Sequence, residues 1–123
     1  MKTSKICVGQ SYFEVEIAQS LLEKTRGLAG KKSLDENKGM LFVFSFESYY
    51  PFSMRNTLIP LDIIWLNKNY EIVHIAKNCK PCKIFFCTPI MSWKKAKYVL
   101  EINSGLCEKL GIGLSDKIKL SAS

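Results

Sequence analysis

The chain has 123 residues, 47% hydrophobic and 24% charged, the composition of one globular domain, which excludes a disordered chain, a collagen-like repeat or a coiled coil. No apolar run approaches the roughly 20 residues that span a bilayer. The abnormality is charge: 18 Lys+Arg against 11 Asp+Glu give +7, and of those cations only Arg26 and Arg55 are Arg.

Residues 1–5 carry the charge of a signal n-region, but Ile6-Cys7-Val8 is the whole apolar run before Gly9-Gln10-Ser11. Export through this segment is not expected, and a cytoplasmic location is. Residues 5–8 and 12–17 read as a hairpin about that turn, with strict apolar/acidic alternation in Phe13-Glu14-Val15-Glu16-Ile17. Ser20, with Glu23 three residues on, is a capping box opening a helix. Leu21, Leu22, Thr25 and Leu28 trace one helix face, and Gly27 and Gly30 stop it.

Residues 40–46 are nearly all apolar and too short for a comfortable helix, which predicts a buried strand. Residues 52–56 are expected to be extended. Pro60 precedes a strand over 61–66, and Asn67-Lys68-Asn69 turns it into a second hairpin with 70–76. Residues 77–95 lack periodicity and predict a long loop. Residues 97–103 alternate again; Ser104 caps a short helix that Gly111 ends, and 117–120 close the chain as a strand. The fold class is therefore mainly β: a single domain over 1–123, a compact antiparallel barrel or sandwich of about seven short strands with two short helices.

Five cysteines (Cys7, Cys79, Cys82, Cys87, Cys107) and one histidine, His74, bear on metal and redox chemistry. Cys79-Lys80-Pro81-Cys82 with Cys87 and His74 could supply four tetrahedral ligands, yet a structural zinc site normally uses two such knuckles and only one is present. A redox pair needs a helix starting after Cys79 to lower a thiolate's pKa, and none is predicted there. Structural or incidental thiols, including a loop disulfide such as Cys82–Cys87, is the simpler reading. His74 lies in Glu71-Ile72-Val73-His74-Ile75 and reads as a packed strand residue. No cofactor is called for, since the glycine pairs follow helices whereas phosphate-binding glycines precede them.

The segment from Phe52 to Asp62 is more informative. Arg55, Asn56, Thr57 and Asp62 fall inside a strongly apolar stretch, where polar groups must find internal partners or face a ligand. Either Arg55 pairs with Asp62 or Glu101, or it offers a bidentate fork to a carboxylate or phosphate.

Gly27-Leu28-Ala29-Gly30-Lys31, Gly39-Met40-Leu41-Phe42-Val43-Phe44, Met54-Arg55-Asn56-Thr57-Leu58-Ile59-Pro60-Leu61-Asp62-Ile63 and Tyr98-Val99-Leu100-Glu101-Ile102-Asn103-Ser104-Gly105 resemble the domain-of-unknown-function 192 family of small prokaryotic proteins, over about residues 13–118. The resemblance implies a compact, mainly β domain, often in exported proteins, and no established activity. Its polar motif positions fall on Arg26, Lys31, Arg55, Asn56, Thr57, Asp62, Glu101 and Asn103, and its paired cysteines on Cys82 and Cys87, which implies a loop-pinning pair. Ala29 and Ser53 replace a usual Met and a usual bulky aromatic. A pocket wall there would be wider, or filled by Met40, Phe52 or Trp93.

The function expected from these residues is a non-enzymatic binding or accessory domain. Its polar cleft would use Arg55, Asn56 and Thr57, with Asp62, Glu101 and Arg26 alongside, for a small anionic or hydroxyl-rich ligand. An alternative is a hydrolase or lyase using Asp62 or Glu101 as its acid/base. Another is nucleic-acid binding by Lys31-Lys32, Lys80, Lys83, Lys94-Lys95 and Lys97 with Trp93, Tyr49 and Tyr50 stacking on bases. Scarcity of Arg, the better phosphate reader, argues against that last reading.

Overall fold

The alternation at residues 13–17 builds a strand with Phe13 and Val15 buried and Glu14 exposed. A computed structural model of the protein describes residues 1–83 and 86–120. Its elements in chain order are β1 (Thr3–Val8), β2 (Ser11–Ala18), α1 (Leu21–Arg26), β3 (Lys38–Ser48), β4 (Leu61–Leu66), β5 (Ile72–Cys79), β6 (Ala96–Asn103), α2 (Leu106–Leu110) and β7 (Ile118–Leu120).

The strands form one seven-stranded sheet in the order β5-β4-β6-β3-β2-β1-β7. All neighbours run antiparallel except β2 and β3, which are parallel with Val15 opposite Gly39. Parallel neighbours need a crossover, and residues 19–37 with α1 supply it. The two edge strands are drawn together at one end: Ile72 N donates to Asp116 O (2.8 Å) and Ile118 N to Tyr70 O (2.9 Å). The sheet thereby curls into a half-barrel.

Curling gives the sheet two unequal buried faces. Ile6, Val8, Phe13 and Val15 meet Ile64, Leu66, Tyr98, Leu100, Ile102 and Ile118 across the inside of the curl. On the opposite face Met40, Phe42, Leu61, Ile63, Trp65 and Val99 pack beneath Met54, Leu28 and the segments flanking them. Every residue of β4 is consequently buried, as its apolar run requires of a strand covered on both sides. Gly39 permits the close β3–β6 approach, since a Cβ there would lie 2.6 Å from Glu101 O.

Several expectations change. The capping box forms, Ser20 Oγ accepting from Glu23 N at 3.1 Å while the Glu23 carboxylate accepts from Ser20 N, but α1 buries no residue. Leu21 and Leu22 are 82% and 71% exposed, because the helix stops at Gly27 (φ 50°) and Leu28, beyond the stop, is the residue that docks. The cap of α2 is Gly105 in the left-handed conformation, with Ser104 outside it. Residues 52–56, expected to be extended, join the structure through isolated bridges, Phe52 to Ile90 and Arg55 to Cys82. Cys82 and Cys87 form a disulfide, which takes two of the sulfurs that a Cys79, Cys82, Cys87 and His74 metal site would need. Among the described residues no helix is long and apolar enough to cross a membrane.

Candidate functional site

The outer face of the sheet is incompletely covered. A cavity of about 570 Å³ opens between the last turn of α1, residues 51–57 and the sheet. Five of the six expected ligand-binding residues line it: Arg26, Arg55, Asn56, Thr57 and Glu101. Arg26 arrives on the last turn of α1, where a cation is favoured by the helix dipole. Arg55, Asn56 and Thr57 arrive on a segment held by backbone bonds from both sides. Asn56 N donates to Cys82 O (3.2 Å), Cys82 N to Met54 O (3.3 Å), and Gly30 N to Asn56 O (3.1 Å). Asn56 takes φ 62°, a left-handed conformation that Asn tolerates better than most residues. The disulfide thus braces the strap that carries one wall of the cavity.

Glu101 comes from the sheet itself. It stands opposite Met40 of β3 and Ile63 of β4, so its side chain emerges on the apolar outer face and reaches the cavity. It is 5% exposed. Its carboxyl opens onto the cavity, and among the described residues no fully enclosed side-chain N or O atom lacks a hydrogen-bond partner. Burial pushes its pKa up to about 8, so at neutral pH the group is mostly an uncharged acid, able both to donate and to accept.

Asp62 is not brought to this cavity. It pairs in register with Ile102, one position from Glu101, and therefore points to the other face of the sheet. There it is fully buried, with Oδ1 accepting from Asn78 N and Oδ2 from Cys107 N, both at 2.9 Å. Those bonds tie β5 and α2 to β4. Two carboxylates on opposite faces cannot serve one reacting group, so the pair weighed as alternative acids reduces to Glu101.

The remaining motif positions have structural work. Lys31 pairs with Glu16 at 3.1 Å, and the Asn103 amide donates to Leu34 O. His74 lies beside Trp65, ring centroids 5.2 Å apart. Burial, with the Asp62 and Glu101 charges adding, pushes the Cys79 thiol up to about 11. Burial, with Asp62 adding, likewise pushes Cys107 up to about 12. Neither is the low-pKa thiolate that redox chemistry requires. Among the described residues no cluster of three His, Cys, Asp or Glu could hold a metal.

Sequence reasoning missed two of the three rings of the apolar wall, Phe42 and Phe44. Phe42, Phe44 and Phe52 line the cavity, with Phe52 edge-on to Phe42 at 4.8 Å. Phe44 stacks on Tyr50 (3.6 Å), and Lys24 lies 4.3 Å from the Phe44 ring centre while its Nζ donates to Val43 O at 3.0 Å. The Phe residues of β3 alternate along the strand, and that period placed them on one face; nothing in it distinguished a cavity wall from core. Of the side chains expected to fill the pocket, Phe52 lines it, Met40 is core beneath it, and Trp93 is 76% exposed elsewhere. Ser53, the small replacement, does line it.

Comparison with known proteins agrees with this fold. The family model of domain of unknown function 192, described as an uncharacterized ACR, matches residues 4–120. A protein of unknown function from Novosphingobium aromaticivorans is similar in structure (TM-score 0.88) and 34% identical, covering 95% of this chain and 84% of that one. A candidate transcription regulator from Sinorhizobium meliloti is similar at TM-score 0.86 and 26% identity, covering 96% of this chain and 92% of that one. No curated protein matches. The match over residues 4–120, with the motif segments in order around one cavity, places the chain in the domain-of-unknown-function 192 family.

Proposed function

We propose that the protein is a non-enzymatic small-molecule-binding domain whose outer-face cavity takes a small anionic or hydroxyl-bearing ligand with an apolar body. The single observation behind this reading is a largely buried carboxyl, Glu101, that opens onto a cavity also lined by both of the chain's arginines. A carboxyl on an apolar face that opens onto a cavity can hydrogen-bond a ligand group seated there. Arg26 and Arg55 supply the cationic forks for a carboxylate or phosphate, Asn56 and Thr57 supply neutral polar groups, and Phe42, Phe44 and Phe52 accept the apolar part. Asp62 serves only as internal support in this proposal.

The experiment is an NMR screen of the full chain with a panel of small carboxylates and hydroxy acids, and neutral amides of the same carbon skeletons as controls. Acids but not amides should shift resonances of residues 24–28, 51–57 and 101. Arg55→Ala should remove those shifts while leaving Tm within a few degrees. If no acid perturbs these residues, or if Arg55→Ala collapses Tm, the cavity is structural.

An enzymatic reading rests on the same carboxyl, since a raised pKa in a cavity suits a general acid or base. It requires Glu101→Gln to abolish turnover of a bound acid, whereas the binding reading requires only altered affinity.

A further inference from the structure

The cavity does not account for the lysines or for the exposed aromatic residues. Residues 72–100 contain six Lys and no Asp or Glu, so most of the +7 charge resides in a single stretch of chain. Part of it collects where β3 ends, β4 turns into β5, and β6 begins. Ser48 of β3 pairs with Ala96 of β6, Leu66 of β4 pairs with Tyr98, and Lys68 N donates to Glu47 Oε2 at 2.7 Å. That end of the sheet therefore gathers Lys68, Lys94, Lys95 and Lys97 against Glu47 and Glu71.

The same end displays three aromatic rings to solvent: Trp93 at 76%, Phe46 at 67% and Tyr49 at 53% exposure. Local structure holds each outward. Ser92 is 1% exposed, and its hydroxyl both donates to Lys94 O (2.7 Å) and accepts from Lys94 N (3.2 Å), fixing Trp93 at the apex of a tight turn. Phe46 stands near the end of β3, and the Tyr50 hydroxyl donates to Phe46 O (2.6 Å), tying the segment that carries Tyr49 back to the strand. Rings on a strand end and on hydrogen-bonded segments beside it are not a hydrophobic surface that folding failed to cover. They present the rings at fixed positions.

We propose that this end of the sheet docks on the surface of an anionic phospholipid bilayer. Trp93, Phe46 and Tyr49 enter the headgroup region while Lys68, Lys94 and Lys95 surround them and reach lipid phosphates. The pairing of chemistries selects this partner. Amphipathic rings with one wet edge suit the membrane interface, and Lys keeps its ammonium in the headgroups while its stem lies against apolar groups. A nucleic acid would call for Arg forks, and both arginines line the cavity; it would also favour rings set in a row along a groove, whereas these stand on separate segments, Phe46 on β3 and Tyr49 and Trp93 beyond it.

The test has a built-in reporter. The chain has two Trp, and Trp65 is fully buried with its Nε1 donating to Tyr50 O (2.9 Å), so a change in Trp emission on binding reports Trp93. The full chain is mixed with phosphatidylcholine vesicles with and without phosphatidylglycerol, at low salt, and with a single-stranded oligonucleotide for comparison. Co-sedimentation with the phosphatidylglycerol vesicles alone, a blue shift of Trp emission, and release by about 0.5 M salt are expected. Trp93→Ser with Phe46→Ser, and separately Lys94→Glu with Lys95→Glu, should each weaken vesicle binding at least about tenfold with Tm unchanged. No sedimentation with anionic vesicles would overturn the proposal. So would vesicle binding that leaves Trp93 emission and the Trp93→Ser variant unaffected, or an emission shift caused by the oligonucleotide but not by vesicles.

Discussion

Glu101 is the residue on which the cavity's chemistry turns, and its environment makes a pH-dependent prediction. In the folded chain its pKa is raised from 4.5 to about 8 by burial alone. Between those values the folded state holds a proton that the unfolded state releases. Stability from this group is thus complete below about pH 4.5 and is lost as pH rises toward 8, by up to about 5 kcal/mol at the limit. Glu101→Gln keeps the shape and removes the ionisation. Urea titrations from pH 4 to 9 should show the native chain weakening along that window and the variant nearly flat, the two crossing so that the variant is the more stable at the alkaline end. Parallel curves for the two proteins would mean that the carboxyl is solvated in solution and not the buried acid described here. The same ionisation bears on ligand: an acid seated near Glu101 should bind progressively less well as pH passes 8, because two negative charges would then share one cavity.

Two elements frame the cavity, and each is held by features that differ in how visible they were in the sequence. Helix α1 has six residues and buries none of them, so its capping box carries a large share of its stability. Ser20→Ala should cost about 1 kcal/mol in global stability. It should also raise amide exchange selectively over residues 21–27, which mass-spectrometric hydrogen exchange can resolve. Equal exchange in the two proteins would mean that α1 is held by other contacts. The opposite wall, residues 53–57, depends on the Cys82–Cys87 disulfide through the backbone bonds that join Met54 and Asn56 to Cys82. Reduction should speed exchange at Asn56 while leaving β6 protected; unchanged exchange there would show that the strap is independent of the bond. Such a bond also sits poorly with a reducing cytoplasm, so the thiol content of freshly isolated protein tests the expected location directly. The capping box was legible because Ser20 and Glu23 announce it within four residues. The strands were legible from period, to within two residues in most cases. What sequence could not give was anything settled by distant partners. The parallel pairing of β2 with β3, the exposure of Leu21 and Leu22, and the position of Gly105 all depend on where the chain goes after leaving the element. Arg26, Arg55, Asn56, Thr57 and Glu101 were legible as a set through the motif segments, whereas Phe42 and Phe44 carried only a core-like pattern.

At the scale of the whole molecule, the curled sheet separates support from chemistry. Asp62 and Glu101 occupy adjacent register positions on neighbouring strands, yet alternation sends them to opposite faces. The inner face holds Asp62 in a fully bonded network joining β4, β5 and α2; the outer face holds Glu101 beside open space. Asp62→Ala should therefore cost on the order of 3 kcal/mol, because two backbone amides lose a charged acceptor in the core. The cavity residues' chemical shifts should change little. Combining Asp62→Ala with Glu101→Gln should give nearly additive losses, within about 0.5 kcal/mol by urea denaturation near pH 6, since the two side chains share no hydrogen-bond partner. Strong coupling between them would show that the faces communicate and would return Asp62 as a candidate acid/base. Additivity would leave Glu101 to act in the cavity without Asp62, with its chemistry set by the arginines and the phenylalanine wall around it.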